Sequence, residues 1–234
     1  MSLNILVTGT SRGIGQSIVA ALVGHRVIGH SSSDGDAGRV ASDLSRPGAA
    51  EQLWAEALAR LDGRIDVLIN NAGAFEANPI EASHDLWVAG WERTMRINLT
   101  ASAELCRLAL LHFRETGGGR IVNVASRAAY RGDSPQHWHY AASKAGMVAM
   151  TKTIARGFAA QNVLAFAVCP GFTMTGMAEE YLSSRGGDKL LADIPLGRVA
   201  SVEEVAETVR WLAIDAPPSA TGSVIDVNGA SYVR

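Results

Sequence analysis

The chain has 234 residues, of which 47% are hydrophobic and 19% are charged, and its formal net charge is -2. This composition suffices for one large domain with a full core, and it lacks the basic excess of nucleic-acid-binding proteins. The two cysteines form no disulfide framework, which suits a reducing cytoplasm. No apolar run approaches the roughly 18 residues of a membrane span, and no basic N-terminal region precedes a long apolar segment. We therefore predict a soluble cytoplasmic protein, one domain over residues 1–234, without a nucleic-acid or membrane partner.

A glycine-rich segment follows the first predicted strand, residues 3–7. It has the spacing G-x-x-x-G-x-G, and apolar residues at helical spacing continue from Ile14. A strand, a glycine-rich turn and a helix N-terminus together favour a bound pyrophosphate, because glycines allow close approach and free amide groups attract negative charge. We predict dinucleotide contacts from Gly9, Ser11, Arg12, Gly13, Ile14 and Gly15.

The second predicted strand, residues 25–30, is followed by serines rather than by a carboxylate. Ser31 and Ser32 can donate hydrogen bonds to a 2′-phosphate, and Arg12 adds a nearby cation, so we favour NADP(H). Asp34 keeps NAD(H) as the alternative, because an acidic residue near this strand end binds the ribose 2′-hydroxyl in NAD-selective proteins. The interval before a third predicted strand, residues 39–44, is too short for a crossover helix, so this edge of the sheet is expected to be shortened.

The middle of the chain alternates predicted helices and strands. A helix beginning at Pro47 leads to a strand at residues 65–69, and a long helical pattern over residues 84–114 leads to a strand at residues 120–124, followed by Ser126. Asn98 is a poor helix former in the middle of the long helix. It is either a solvated surface residue or a local break of the kind that occurs at functional sites.

Tyr140 and Lys144 stand four residues apart, so they share one face of a predicted helix. A cation about 4 Å from the phenol would lower the tyrosine pKa from about 10 by roughly 3 units. At that value Tyr140 could act as a general acid or base.

The remaining chain contains a predicted strand at residues 163–168, ended by Cys169-Pro170-Gly171, and a last strand at residues 223–227. Residues 172–195 contain no convincing long element, apart from a turn of helix at residues 178–182, and we interpret them as a substrate loop. Ser201 and Glu204 have capping-box spacing before a helix.

Together these motifs resemble the short-chain dehydrogenase/reductase family over nearly the whole chain, and within it the 3-oxoacyl-carrier-protein reductases. The resemblance implies a Rossmann-like, doubly wound α/β fold with seven parallel strands in the order 3-2-1-4-5-6-7 and helices on both faces. It implies a catalytic tetrad of Asn98, Ser126, Tyr140 and Lys144, and a homotetramer or homodimer. Further cofactor contacts are implied at Asp43, Leu44, Asn71, Ala72, Gly73, Tyr140, Lys144, Pro170, Gly171, Thr173 and Thr175.

The resemblance also implies a mechanism. Tyr140 would donate a proton to a substrate carbonyl as the nicotinamide delivers hydride, and Ser126 would hydrogen-bond the same oxygen. Lys144 would lower the tyrosine pKa and hold the nicotinamide ribose, while Asn98 would hold a water that links Lys144 to solvent. Three functions stay open: reduction of a small carbonyl or oxidation of an alcohol, reduction of a 3-oxoacyl thioester, and a non-catalytic nucleotide sensor.

Other functional-looking residues have ordinary interpretations. His137 and His139 do not converge on one helical face, so we predict no metal site. Arg127 and Arg131 could bind an acidic substrate group, although solvated loop arginines are more common. The Trp87 and Trp91 pair is expected in the core or at an interface.

Overall fold

A computed structural model describes residues 2–174 and 187–234, and within them seven parallel strands form one sheet in the order β3-β2-β1-β4-β5-β6-β7. Each strand is a short apolar run, as expected of parallel strands covered on both faces. The strands are β1 Asn4–Val7, β2 Arg26–Ser31, β3 Arg39–Ala41, β4 Val67–Asn70, β5 Gly119–Val124, β6 Val163–Pro170 and β7 Val224–Val227. The predicted sheet and its order are confirmed.

Helices cover both faces of the sheet. They are α1 Gly13–Ala21, α2 Ala49–Arg60, α3 His84–Met95, α4 Ala101–Thr116, α5 Ala128–Arg131, α6 Trp138–Phe158, α7 Gly187–Ala192 and α8 Val202–Ile214. One core lies under α2, α4 and α6, and includes Leu53, Phe113 and Ile154. The other lies under α1 and α8, and includes Ile18 and Val209. The sheet therefore separates two apolar layers.

The parallel arrangement places the carboxyl ends of the strands at one edge of the sheet. β5 and β6 stay in register from the Gly119 and Val163 pair to the Val124 and Val168 pair. The segments that follow β1, β4, β5 and β6 therefore begin close together, at the edge where doubly wound sheets bind their ligands.

The predicted shortening after β2 is present. Residues 32–38 connect β2 to β3 without a helix, and the Arg60 guanidinium, from α2, donates to the backbone oxygen of Asp36 at 2.6 Å. The capping box is also present, since the Ser201 hydroxyl accepts from the Glu204 N–H and the Glu204 carboxylate accepts from the Ser201 N–H.

Four local predictions were wrong or lie outside the described residues. The third strand ends at Ala41 rather than at residue 44, and α2 begins at Ala49 rather than at Pro47. Two short helices, α5 and α7, were not predicted, because the periodicity of four to six residues is too short to indicate a helix. The predicted turn at residues 178–182 lies outside the described residues.

Among the described residues, none of the helices has the length and apolar character needed to cross a bilayer. In the same residues, no cluster of three or more His, Cys, Asp or Glu side chains could hold a metal ion.

Candidate functional site at the carboxyl edge of the sheet

The glycine-rich segment has the shape of a phosphate cradle. Gly9 has a left-handed φ of +70°, and a Cβ there would lie 2.8 Å from the Ala72 Cα. A Cβ on Gly15 would lie 1.9 Å from the Gly9 oxygen, so no larger residue fits. α1 begins at Gly13 with no acidic residue in its first turn, which keeps its N-terminus favourable for an anion. The cradle therefore fits the pyrophosphate of a dinucleotide.

Thr8 and Asn71 hold this cradle against the end of β4. The Thr8 hydroxyl, on a residue that is 1% exposed, accepts from the N–H groups of Asn71 and Ala72, both at 2.9 Å. The Asn71 side-chain amide donates to the backbone oxygens of Thr8 and Gly9, each at 2.9 Å. The predicted contacts Asn71, Ala72 and Gly9 therefore lie in one rigid unit.

His30 supports the cradle from below, and sequence reasoning missed it. Its Nδ1 accepts from the Gly9 N–H at 3.0 Å, so this nitrogen is unprotonated. The neutral ring then carries its proton on Nε2, which lies 2.7 Å from the Ser42 backbone oxygen and donates to it. Burial lowers the pKa of His30, in keeping with a neutral ring. The sequence feature that could have indicated this role is a histidine at the end of an apolar strand, where the strand reaches the ligand-binding edge of the sheet.

The predicted break at Asn98 is present as a turn of π-helix, Arg96–Thr100, between α3 and α4. Asn98 is fully buried, its Oδ1 accepts from the Ala74 N–H at 2.7 Å, and its Nδ2 donates to the Ala74 oxygen at 3.0 Å. The same Nδ2 donates to the Ser143 hydroxyl at 3.1 Å, and that hydroxyl donates to the Tyr140 backbone oxygen at 2.7 Å. Asn98 thus ties the loop after β4 to the helix that carries Tyr140.

Ser126 and Tyr140 come together at the end of β5. The Ser126 hydroxyl accepts from the Ala128 N–H at 3.1 Å and hydrogen-bonds the Tyr140 phenol. The interval between them holds α5 and a turn through Gly132, which has φ +77°.

Lys144 lies one turn from Tyr140 on α6 and is 4% exposed. Its ammonium donates to the Val124 backbone oxygen at 2.8 Å and lies 5.8 Å from the centre of the Tyr140 ring. A Cβ on Gly73 would lie 3.5 Å from the lysine Nζ and 3.4 Å from the Asn98 Oδ1. Tyr140, Ser126, Lys144 and Asn98 therefore surround one point beside the cradle.

The expected lowering of the tyrosine pKa was wrong for the protein alone. Protein packed around the phenol raises the pKa of Tyr140 to about 12, and this burial outweighs the hydrogen bond from Ser126. Burial also lowers the pKa of Lys144 to about 8. The spacing of the two residues predicts a full positive charge beside the Tyr140 phenol. In the structure, the buried Lys144 donates its hydrogen bond to the Val124 backbone oxygen instead.

The residues predicted on the adenosine side have mixed surroundings. Ser31 is buried as the last residue of β2, and its hydroxyl accepts from the Asp34 N–H at 2.9 Å, so it organises the loop rather than pointing into solvent. Ser32, Ser11 and Arg12 are exposed. The exposed Asp34 carboxylate accepts from the Ser33 hydroxyl at 3.1 Å. Hydrogen-bond donors that suit a 2′-phosphate and a carboxylate that suits a 2′-hydroxyl are thus both present at this end of the cleft.

Asp43 and Leu44 follow β3. The Asp43 carboxylate accepts from the Ser45 hydroxyl at 2.7 Å and from its N–H at 3.0 Å, and these bonds hold its pKa low. Leu44 is buried, which leaves its backbone rather than its side chain for a ligand.

The end of β6 supplies the opposite wall. Pro170 is the last strand residue, and a Cβ on Gly171 would lie 2.8 Å from the Asn228 Cβ. The Thr173 hydroxyl donates to the Gly171 oxygen at 3.2 Å. Thr175 lies outside the described residues.

An aromatic pair of Phe75 and His137 lies beside Tyr140; the sequence placed His137 at the border of the substrate mouth, whereas Phe75 was missed. The Phe75 ring stacks on the His137 imidazole at 4.0 Å and meets the Tyr140 ring edge-on at 4.8 Å. Phe75 is 45% exposed, so this pair forms part of the mouth of the site. The predicted Trp87 and Trp91 pair stacks at 5.5 Å, and Trp138 meets both rings edge-on.

Comparisons with known proteins find relatives that match nearly the whole chain. A sequence profile of the family described as enoyl-(acyl carrier protein) reductase matches residues 9–230. The 3-oxoacyl-[acyl-carrier-protein] reductase of Vibrio cholerae is 34% identical over 241 residues, covering 97% of this chain and 96% of that protein. The acetoacetyl-CoA reductase of Rhizobium meliloti is 32% identical over 243 residues, covering 99% of each. The crystal structure of a candidate gluconate dehydrogenase from Agrobacterium tumefaciens is similar with a TM-score of 0.88 and 26% identity, covering 99% of this chain and 97% of that one.

Proposed function

The chain belongs to the short-chain dehydrogenase/reductase family of NAD(P)-dependent oxidoreductases, and we propose that it reduces a carbonyl substrate with Tyr140 as the general acid. The observation that carries this proposal is the Tyr140 phenol on the Ser126 hydroxyl, beside the buried Lys144 and next to the glycine cradle. Two hydroxyls at one point can both bond a carbonyl oxygen, one of them giving up its proton.

Each side chain has a distinct part in this reaction. When bound, a reduced nicotinamide supplies the hydride. Ser126 holds the substrate oxygen in place, and Tyr140 transfers its proton to that oxygen as negative charge develops there. An alkoxide is a much stronger base than a phenolate, so a tyrosine with a pKa of about 12 can still donate. Lys144 stabilises the phenolate that remains, and it does so best below about pH 8, where it keeps its charge.

Asn98 is a positioning residue in this scheme. Its side chain hydrogen-bonds Ala74 and Ser143, so it fixes the loop after β4 relative to α6. Its backbone oxygen accepts from the Ser102 hydroxyl at 3.2 Å. These bonds support the proposal because they hold Gly73 against the lysine ammonium.

NADP(H) is the cofactor we propose. The exposed Arg12 at the start of α1 and the exposed Ser32 after β2 offer a cation and a hydroxyl for a 2′-phosphate. Asp34 is the residue that would favour NAD(H) instead, because its carboxylate would repel the phosphate. Fluorescence titration with both cofactors distinguishes them, and an Asp34→Ser variant should shift any NADH preference toward NADPH.

A 3-oxoacyl thioester is the second candidate substrate. The relatives from Vibrio cholerae and Rhizobium meliloti carry names of thioester reductases, and their similarity extends over nearly the full chain. A non-catalytic nucleotide sensor is disfavoured, since a sensor does not need Ser126, Tyr140 and Lys144 at one point.

The test of the proposed chemistry is Tyr140→Phe. We expect turnover of any accepted carbonyl to fall by at least about a hundredfold, the range assigned to general acid–base catalysis, with NADPH affinity nearly unchanged. Tyr130→Phe is the matched control, because Tyr130 lies on α5 and its hydroxyl accepts only from the Arg234 guanidinium, at 3.1 Å, among the described residues. Substantial activity in Tyr140→Phe would disprove the assigned role.

A further inference from the structure

Arg127 is an unusual arginine because it is 7% exposed and incompletely paired. Its guanidinium lies over the Phe172 ring, 4.8 Å from the centre. Its Nη1 has no hydrogen-bond partner in the described part of the chain, and its nearest carboxylate oxygen is Asp193 Oδ2 at 3.7 Å. The solvated loop arginine that is common for such a sequence position is therefore not what the structure contains.

The carboxylate near Arg127 is already used by another cation. Arg131 binds the same Asp193 oxygen at 2.7 Å, so one carboxylate faces two guanidinium groups. Asp193 is half exposed, with 48% of its side chain accessible, whereas Arg127 is enclosed. Burial, and then the repulsion of Arg131, lower the pKa of Arg127, although Asp193 and Asp133 act in the opposite direction. Among the described residues, Arg127 therefore has acidic groups near it but no close ion pair of its own.

Arg127 also occupies a defined place relative to the proposed chemistry. It follows Ser126 directly, so the two Cα atoms are about 3.8 Å apart. Its N–H donates to the Pro170 oxygen at 2.9 Å, which continues the β5–β6 ladder and fixes its backbone at the edge of the site. Arg127 therefore lies next in the chain to the residue that is proposed to hold the substrate oxygen.

We propose that Arg127 binds the carboxylate of an anionic substrate, so that the natural substrates are oxo acids or the corresponding hydroxy acids. This inference rests on the proposed function and names its substrate class. A planar guanidinium pairs with a carboxylate through two parallel hydrogen bonds, and the buried Nη1 of Arg127 has no hydrogen-bond partner among the described residues. Asp193 lies near the position that the substrate carboxylate takes. The incoming anion therefore either binds Arg127 beside Asp193 or displaces the Asp193 carboxylate.

The kinetic test compares each acid with its neutral ester. Acetoacetate and 4-oxopentanoate are assayed beside their methyl esters, with wild type, Arg127→Met and Arg127→Lys. We expect Arg127→Met to lower kcat/KM about ten- to a hundredfold for an acid and less than about twofold for its ester, with partial recovery in Arg127→Lys. Arg107→Met, on the exposed face of α4, controls for loss of a positive charge elsewhere. Equal losses for acid and ester would mean that Arg127 only supports the fold, and would overturn the proposal.

A binding test needs neither turnover nor a stable Arg127 variant. Calorimetric titration of the wild-type protein with butyrate and butyramide should show tighter binding of the anion, and Asp193→Asn should tighten butyrate binding several-fold because a competing carboxylate is gone. Indistinguishable butyrate and butyramide binding would refute the anion site. If butyrate binds more tightly than butyramide but no carbonyl compound is reduced, the proposed reaction fails and the anion site stands. If esters are reduced through Tyr140 and Arg127 has no effect on acids, only the anion site fails.

Discussion

Replacing Lys144 by Met should remove activity and at the same time stabilise the protein at neutral pH. Burial lowers the pKa of Lys144 from 10.5 to about 8, so keeping the ammonium charged in the fold costs about 3 kcal/mol at pH 7. The methionine loses the bond to the Val124 oxygen, which costs about 1–2 kcal/mol when that oxygen is left unpaired. The variant should therefore be more stable than wild type by about 1–2 kcal/mol at pH 7.

The pH dependence makes this expectation specific. A lysine whose pKa is lower in the folded state costs stability below pH 8, and the cost disappears as pH rises from about 8 to 10.5, because only the unfolded chain still holds the proton. Above that range the lost bond to Val124 remains, and wild type becomes the more stable protein. The two stability curves should therefore cross.

Urea unfolding of wild type and Lys144→Met at intervals between pH 7 and 10.5 measures the crossing. The contribution of Tyr140 is common to both proteins and cancels in the difference. Lys152→Met is the matched control for the loss of a lysine, since Lys152 is exposed on the same helix. Parallel curves for wild type and Lys144→Met would refute the argument that burial perturbs this lysine, whatever the offset between them.

Three further outcomes follow from the cradle and from the buried Lys144. Gly15→Ala should abolish NADPH binding in fluorescence titrations and destabilise the fold, because its Cβ would lie 1.9 Å from the Gly9 oxygen. The control variant Gly157→Ala should leave binding intact, because Gly157 in α6 has open space around it. Normal binding by Gly15→Ala would contradict the described cradle. Wild type should be more stable than His30→Asn, and this difference should shrink as pH falls below the ordinary histidine pKa of 6.5. The reason is that the unfolded chain takes up the proton first, and that a protonated Nδ1 cannot accept from the Gly9 N–H. A difference in unfolding midpoint that stays constant with pH would argue against the assigned tautomer. Reduction should slow as pH rises through about 8, where Lys144 loses its charge, and a pH profile of kcat that stays flat to pH 10 would show that this charge is not needed.

The sheet and the cradle could be predicted from sequence because their determinants are local. Buried parallel strands are continuous apolar runs, and Gly9 and Gly15 are required by backbone conformation and close approach within one segment. Asn98 could be singled out for a similar reason, since a poor helix former stood in the middle of a long periodic pattern. Short helices such as α5 and α7 carry no comparable signal.

The electrostatics of the site could not be predicted in this way, because they depend on what surrounds each group. Spacing placed Tyr140 and Lys144 on one face of a helix, but the direction of each pKa shift follows from burial and from the Val124 oxygen, which lies on another element. The roles of His30 and Arg127 likewise appear only when β2 meets the cradle and when Asp193 meets α5. Sequence identified residues that could react, and tertiary packing determined their charge.

The pKa shifts of Tyr140 and Lys144 also bear on the direction of the proposed reaction. A phenol with a pKa of about 12 is protonated at every physiological pH, so the acid needed for carbonyl reduction is always ready. Alcohol oxidation needs the phenolate instead, and the protein alone disfavours that form by its own packing. Lys144 stabilises the phenolate only while the lysine is charged. Burial of Lys144 restricts that charged form to pH values below about 8. The protein around the pair thus favours the protonated phenol of Tyr140 and the uncharged amine of Lys144, and both shifts favour proton donation by Tyr140 over proton removal from an alcohol.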